Sequence, residues 1–171
     1  MNILMILGAG GYGKTIYDLA CQLGCYNKIG FLDDGRNGTG ILGGCGEYAV
    51  FADEHTEMYP AFGDNGLRME WLNRLEEEGI AVPTLVHPRA YVSPMAKLGE
   101  GTVVLPMAVV NTGVRVGAGC ILNIGALVDH DSVLEEGCHL APGAIVKAEN
   151  RIPALSKIDS GEVIENREYP L

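Results

Sequence analysis

Two histidines in the second half of the chain have the side chains and neighbours for acid–base chemistry. His130 lies in the run Leu127-Val128-Asp129-His130-Asp131, and His139 lies in Cys138-His139-Leu140. An imidazole with a pKa near ~6.5 serves as a general base at neutral pH. A carboxylate beside it, here Asp131, raises its basicity and fixes its tautomer. Two other readings stay open for these residues. His130 is equally suited to an ordinary surface corner, with Asp129, Asp131, Glu135 and Glu136 as a solvated acidic edge. Zinc is the third reading, but no third ligand accompanies the two histidines, so no metal is expected. A second chemical element lies near the N-terminus, where Gly8-Ala9-Gly10-Gly11-Tyr12-Gly13 is followed about twenty residues on by Asp33-Asp34. A glycine turn that opens a helix exposes bare N–H groups suited to a phosphate, and an acid at that distance fits a ribose hydroxyl. The bland alternative is a turn that only packs its helix closely on a strand.

The histidines stand on a repeat. Residues Ala90 to Val146 fall into rows of six: AYVSPM AKLGEG TVVLPM AVVNTG VRVGAG CILNIG ALVDHD SVLEEG CHLAPG AIV. The third place of all ten rows is aliphatic, from Val92 to Val146. Nine of the ten first places are Ala, Ser, Thr or Cys, with Val114 the exception, and glycine fills six of the last places. This period fits neither a helix nor a flat strand and is a signature of a parallel β-helix. Three rows make one triangular coil, so residues 18 apart stack. The aliphatic places line the interior, the small places let the chain turn in, and glycine permits the corner. Each coil buries its apolar side only against its neighbours. His130 falls at a corner and His139 on a flat face, both pointing out, and half a coil separates them. They meet only if another subunit brings its own copy across.

The glycine turn stands on a smaller α/β unit. Ile3–Leu7 reads as a buried strand, Lys14–Leu23 as a helix capped by Gly24, and Lys28–Leu32 as a second strand. Residues 35–46 read as a loop, Glu57–Phe62 as a third strand, Arg68–Glu78 as a helix with Met69, Leu72 and Leu75 inward, and Ile80–Val86 as a last strand. The expected organisation is a Rossmann-like domain over 1–86, the coil over 87–147, and an extended tail over 148–171, where the rhythm fails. About 85 residues hold one mononucleotide-binding half and not two, which counts against a nicotinamide-dependent enzyme.

Net charge is −10 and the sequence pI about 4.7, which argues against binding nucleic acid or an anionic membrane. No apolar run has the length of a membrane span, and MNILMILGAGG lacks the basic start of a signal peptide. Five cysteines without a CxxC pair suit a reducing cytoplasm. Cys120 and Cys138, 18 apart in the small place, are expected to stack inside the coil.

Taken together, Gly8–Gly13, Phe31-Leu32-Asp33-Asp34, Phe62-Gly63-Asp64-Asn65, Leu85-Val86-His87-Pro88, Val128–Asp131 and Cys138–Ala144 resemble the sugar acyltransferases of the sialic acid O-acetyltransferase type. That family includes the N-acetyltransferases acting on UDP-4-amino-sugars. The resemblance covers about residues 1–147. It implies a Rossmann-like domain followed by a left-handed β-helix, assembled as a homotrimer. It implies a nucleotide-sugar on Gly10, Gly11, Tyr12, Asp33, Asp34 and Gly63, and acetyl-CoA in a groove between two coils. His130 matches the general base, Asp131 its supporting acid, His139 a contact to acetyl-CoA, and Asn111 a position near the reacting groups. Asn111 also lies 18 residues before Asp129, one coil below it. One departure stands out: family members continue the hexapeptide rows further, whereas here they stop after about ten. A non-catalytic sugar-nucleotide-binding or scaffold protein is therefore the alternative to an acetyltransferase.

Overall fold

A computed structural model describes residues 2–35 and 38–171, which form two compact units divided between Pro83 and Thr84.

In the first unit, the apolar run Ile3–Leu7 becomes β1, an inner strand of a four-stranded parallel sheet. It pairs on one side with β2 (Lys28–Leu32) and on the other with a strand over Thr56–Pro60. A short strand, β3 (Ile41–Gly43), joins the outer edge of β2; with Thr56–Pro60 as β4 the order is β3-β2-β1-β4. The segment expected as a plain loop, 35–46, thus contributes an edge strand; its residues 36 and 37 lie outside the described ones. Helix α1 (Gly11–Leu23) links β1 to β2, and α2 (Asn65–Glu77) follows β4. Gly24 ends α1 in the left-handed conformation at φ 66°, as its sequence position predicts. Leu4, Ile6, Leu7, Ile16, Leu19, Leu72 and Leu75 form the buried core.

The second unit is a left-handed parallel β-helix of two-residue strands on three faces. One face stacks Leu85–Val86, Val103–Val104, Ile121–Leu122, His139–Leu140 and Lys157–Ile158. The next stacks Tyr91–Val92, Val109–Val110, Leu127–Val128, Ile145–Val146 and Val163–Ile164. The third stacks Lys97–Leu98, Arg115–Val116, Val133–Leu134 and Arg151–Ile152. Third-place residues from Val104 to Ile164 are at most 6 % exposed. The small first places do more than avoid clashes. Thr102, Cys120, Ser132 and Cys138 each donate a hydroxyl or thiol hydrogen to the carbonyl 15 residues ahead. Corners fall every sixth residue from 101 to 167, each with φ between 56° and 71°. Seven of these twelve corners are glycine; Met107, Asp131, Glu149, Leu155 and Arg167 hold the same left-handed conformation with a side chain.

Two expectations require correction. Leu85–Val86 does not close the first unit: it pairs with Val103–Val104 as the first strand of its face of the coil. Nor does the coil stop at Val146, since Ile152, Ile158 and Ile164 continue the inner column and their strands pair with the coil below. The rhythm is disguised because Glu149, Leu155 and Arg167 replace glycine at corners and Asn150 occupies a small place. Asn150 is fully buried and replaces packing with hydrogen bonds. Its amide donates to Lys147 O and Glu165 O at 2.9 and 2.8 Å, and its Oδ1 accepts Tyr169 N at 2.8 Å. Only the segment after Arg167 leaves the rows, and it folds back so that Arg151 N donates to Tyr169 O.

Candidate active site

The rows that carry chemistry share a corner design. Fourth-place Asn111, Asn123 and Asp129 each turn Oδ1 back to accept the next backbone N–H, from Thr112, Ile124 and His130 at 2.7, 2.9 and 2.7 Å. Each such turn fixes the orientation of the rest of its side chain. Asn111 Nδ2 then donates to Asp129 Oδ1 at 2.9 Å across 18 residues. Asn123 Nδ2 points to His139 Nε2 at 3.2 Å.

At the corner after Val128, His130 is exposed and its Nδ1 lies 2.9 Å from Asp131 Oδ2. A carboxylate only accepts, so the neutral imidazole keeps its proton on Nδ1 and leaves the Nε2 lone pair outward. That hydrogen bond is the main cause raising the His130 pKa above the ordinary histidine value. Burial opposes it, and the charges of Asp129, Asp131 and Glu149 add to it. The Asp129 carboxyl is held below its usual range by the His130 N–H and then the Asn111 amide. Asp131 itself occupies a left-handed corner at φ 58°. Gly113, one coil below, makes room for it: a Cβ there would meet Asp131 Oδ1 at 2.4 Å. Asn111, Asp129, His130 and Asp131 thus form one connected group.

His139 is not part of that group. It is half-buried on a flat face, and because Asn123 Oδ1 is committed to Ile124, the Asn123 amide must donate to His139 Nε2. His139 therefore carries its proton on Nδ1, on the side away from Asn123. Asn123 was not singled out from sequence. The signal was present in the recurrence Asn111-Thr112-Gly113, Asn123-Ile124-Gly125, Asp129-His130-Asp131 at the same three places of their rows.

In the first unit, the sheet order reverses at β1, with β2 and β3 to one side and β4 to the other. Ligands of open parallel sheets bind outside the carboxyl ends of the strands at such a switch point. The glycine turn leaves β1 here and the Ala61–Asp64 loop leaves β4. A Cβ at Gly10, Gly11 or Gly63 would meet nothing within 4 Å, so these backbones face open space. Gly13 has the opposite role, since its Cβ would lie 2.0 Å from Gly8 O; it lets α1 pack on the turn. Asp33 accepts Ala9 N and Gly35 N at 2.7 and 2.9 Å, tying the turn to the end of β2. Asp34 is exposed, accepts Cys45 N with Oδ1 at 2.8 Å, and helps line a cleft of about 430 Å³ with Gly38, Ile41 and Gly44. The Tyr12 hydroxyl is paired with that of Tyr59 at 2.8 Å, which leaves its backbone as the part assigned to the turn. Beside Asp33 and Asp34 the buried Cys45 thiol is pushed up to about 11, first by desolvation and then by the two carboxylates, and stays protonated at neutral pH.

The acetyltransferase domain of PglB from Neisseria gonorrhoeae FA1090 superimposes on the chain with a TM-score of 0.94 and 35 % identity, over 98 % of this chain and 84 % of that one. The chain belongs to the hexapeptide-repeat sugar acetyltransferases. The PglD N-terminal domain family matches residues 3–75, the part that carries the glycine turn. The same PglB domain in complex with acetyl coenzyme A matches with a TM-score of 0.93 and 36 % identity, over 98 % and 84 % of the two chains. A perosamine N-acetyltransferase from Caulobacter crescentus, solved as a histidine-to-asparagine variant with CoA and GDP-perosamine, matches with a TM-score of 0.84 and 25 % identity over 97 % and 90 %. No curated protein matches the chain by sequence. Among the described residues no helix is long and apolar enough to cross a membrane, and no cluster of three metal-ligating side chains occurs.

Proposed function

We propose that this member of the family transfers the acetyl group of acetyl-CoA to the amine of a nucleotide-linked amino sugar, with His130 as the general base. The observation that carries the reading is the exposed imidazole whose Nδ1–H is committed to Asp131, so that Nε2 is the basic atom facing outward. His130 Nε2 takes the proton from the amine as the nitrogen attacks the thioester carbonyl, Asp131 stabilises the imidazolium that forms, and as the C–S bond breaks the imidazolium returns the proton to the departing CoA thiolate. Asn111 and Asp129 hold the backbone at His130. His139 is assigned to the acetyl-CoA contact by the resemblance: its Nε2 is held by the Asn123 amide and its Nδ1 is buried, so the contact is one of the ring's exposed part. The coil that continues to Ile164 fits the cosubstrate, because its added rows extend the wall along which the pantetheine arm would lie. That continuation also removes the argument for a non-catalytic binding protein, which rested on a short coil. The nucleotide-sugar is assigned to the open backbones at Gly10, Gly11, Tyr12 and Gly63 and to Asp34, with Asp33 shaping the turn.

A homotrimer completes this reading. His130 and His139 are bound to separate partners, and a second copy is needed to bring one beside the other. The outward column Tyr91, Val109, Leu127, Ile145 and Val163 offers an apolar face for that contact, with Tyr91 55 % and Val163 40 % exposed. Light scattering is expected to give about three times 18.2 kDa, and a monomer at micromolar concentration contradicts a shared site. All five cysteines are free, which suits the reducing cytoplasm where acetyl-CoA and nucleotide-sugars occur. The activity test follows thioester cleavage with acetyl-CoA and UDP- and GDP-linked amino sugars. Absence of turnover, together with absence of heat on titrating acetyl-CoA, rejects the assignment.

A further inference from the structure

Among the described residues, Arg68 heads the large side chains with no exposed surface, and no motif drew attention to it. It lies in the first turn of α2, where a leucine or methionine would fill the same core position without a desolvation cost. Charged side chains are almost never fully buried unless their hydrogen bonds are met, and replacing a buried ion by a packed apolar residue is often stabilising. Stability alone therefore does not explain an arginine here. Its partners point to another role. Nη1 donates to Phe62 O at 3.0 Å and to Asp64 O at 3.4 Å, and Nη2 donates to Asn65 Oδ1 at 2.8 Å. One planar guanidinium thus spans the loop between β4 and α2 from beneath.

That loop is coupled to the glycine turn. A Cβ at Gly8, whose φ is 101°, would come within 3.2 Å of Ala61 O and 3.3 Å of the Phe62 ring, so the turn and the loop are in close packing. The Tyr12–Tyr59 hydroxyl pair joins α1 to β4 a few residues away, and the Arg68 charge favours ionisation of Tyr12 against the burial that raises its pKa. Phe62 is held from the other side by Trp71 at 6.2 Å between ring centroids. What the loop offers outward is Gly63, exposed and with open space where a side chain would be.

We infer that Arg68 is a positioning residue for the nucleotide-sugar: it fixes the Phe62–Asn65 loop against the glycine turn so that the two open backbones present one shaped surface to the ligand. The inference rests on the assignment of the nucleotide-sugar to that surface. The hydrogen bonds of Arg68 go to the loop itself, so its loss weakens ground-state and transition-state binding of the sugar alike and leaves the chemical step intact.

The test compares Arg68→Met, Arg68→Lys and Gly63→Val with wild type, using whichever of a UDP- and a GDP-linked 4-amino sugar the wild type acetylates faster. Arg68→Met is expected to raise KM and Kd for that nucleotide-sugar by roughly 10- to 100-fold, in line with the cost of a misplaced contact surface. The KM for acetyl-CoA and kcat at saturating sugar are expected to stay within about threefold, a split that general destabilisation does not produce. Arg68→Lys keeps the charge and one or two of the bonds, and recovers part of the affinity. Should Arg68→Met fail to fold, Asn65→Ala removes one acceptor while leaving the Asp64 cap of α2 in place, and the same split at about 3- to 10-fold is expected. Folded Arg68→Met, or in its place Asn65→Ala, with wild-type sugar affinity overturns the inference, as does an equal loss in kcat and in acetyl-CoA affinity. If Gly63→Val weakens sugar binding while Arg68→Met does not, the positioning role alone fails. If neither weakens it, the surface is not the nucleotide-sugar site and the assignment beneath the inference fails with it.

Discussion

Replacing Asp131 by glycine separates what the coil needs at that corner from what the reaction needs. Asp131 sits at φ 58°, in a column position where seven of the twelve corners are glycine. An L-residue in the left-handed region costs about 1 kcal/mol, and glycine returns that cost. Glycine also frees the unfolded chain, which takes back about 0.5–1 kcal/mol. The carboxylate's contact with His130 is exposed to solvent and adds little to folding. The net change in stability is therefore about 0–0.5 kcal/mol in favour of the variant, no more than about 2 °C in Tm for a chain of this size. Activity is expected to move the other way. Without its carboxylate the imidazole loses its fixed tautomer and part of its basicity, and turnover falls by about 10- to 100-fold, a share of the full value of a positioned base. The pH profile supplies the sign. The base works deprotonated, and its folded-state pKa is raised chiefly by Asp131, so wild-type activity falls as pH drops through that raised value. Removing the carboxylate lets the pKa relax, and the acid limb shifts to lower pH. Linkage has the same origin: a raised histidine pKa adds stability below the ordinary histidine range and loses it as pH rises through the raised value. Thioester cleavage across the neutral range and thermal melts of both proteins are the measurements. A variant that melts several degrees lower, or that keeps the wild-type limb and turnover, refutes the reasoning.

His130→Ala is expected to lower turnover by roughly 10²–10⁴-fold while leaving the fold unchanged, since its exposed ring serves no packing; near-normal turnover in a folded variant makes His130 a surface residue. Gly13→Ala places a Cβ 2.0 Å from Gly8 O and is expected to destabilise the first unit by at least ~2 kcal/mol in denaturant melts, whether or not the coil is affected. Asn150→Ala leaves Tyr169 N and Glu165 O without their buried partner, at a cost of about 1–3 kcal/mol, and hydrogen exchange at the Arg151 and Tyr169 amides is expected to accelerate before that of the inner coils.

The fold was legible where one physical requirement governs a position. Ile3–Leu7 is apolar throughout because an inner parallel strand is covered on both faces, and the sequence marks both its ends correctly. The coil interior was legible because the third place admits only aliphatic residues. Arg68 was not, because a periodic reading of α2 places Met69, Leu72 and Leu75 inward and assigns a charge to the surface. The actual helix buries Arg68 beside them, against carbonyls that the sequence cannot show. Asn123 was missed for a similar reason. Its value comes from a residue 16 positions away, and only the stacking of coils brings the two together.

Corners are where the sequence misled and where it informed, and the difference between the two cases is physical. At Glu149, Leu155 and Arg167 the loss of glycine reads as the end of the repeat. At Asp131 the same loss lies beside a histidine and reads as chemistry. All four hold nearly the same left-handed backbone, between 56° and 60°. Occupation of the corner by a side chain is thus neither a break in the coil nor a mark of function. What settles continuity is the inner column, which runs without lapse through Ile152, Ile158 and Ile164. What separates Asp131 from the other three is where the corner side chain goes. Glu149 and Arg167, 18 residues apart, bind each other and seal neighbouring coils. Asp131 instead reaches the ring of the next residue back, over a glycine at 113 that keeps its place clear. A Gly113→Ala change makes that distinction measurable: its Cβ displaces the Asp131 carboxylate from His130, so the pH profile is expected to shift as it does for loss of the carboxylate itself.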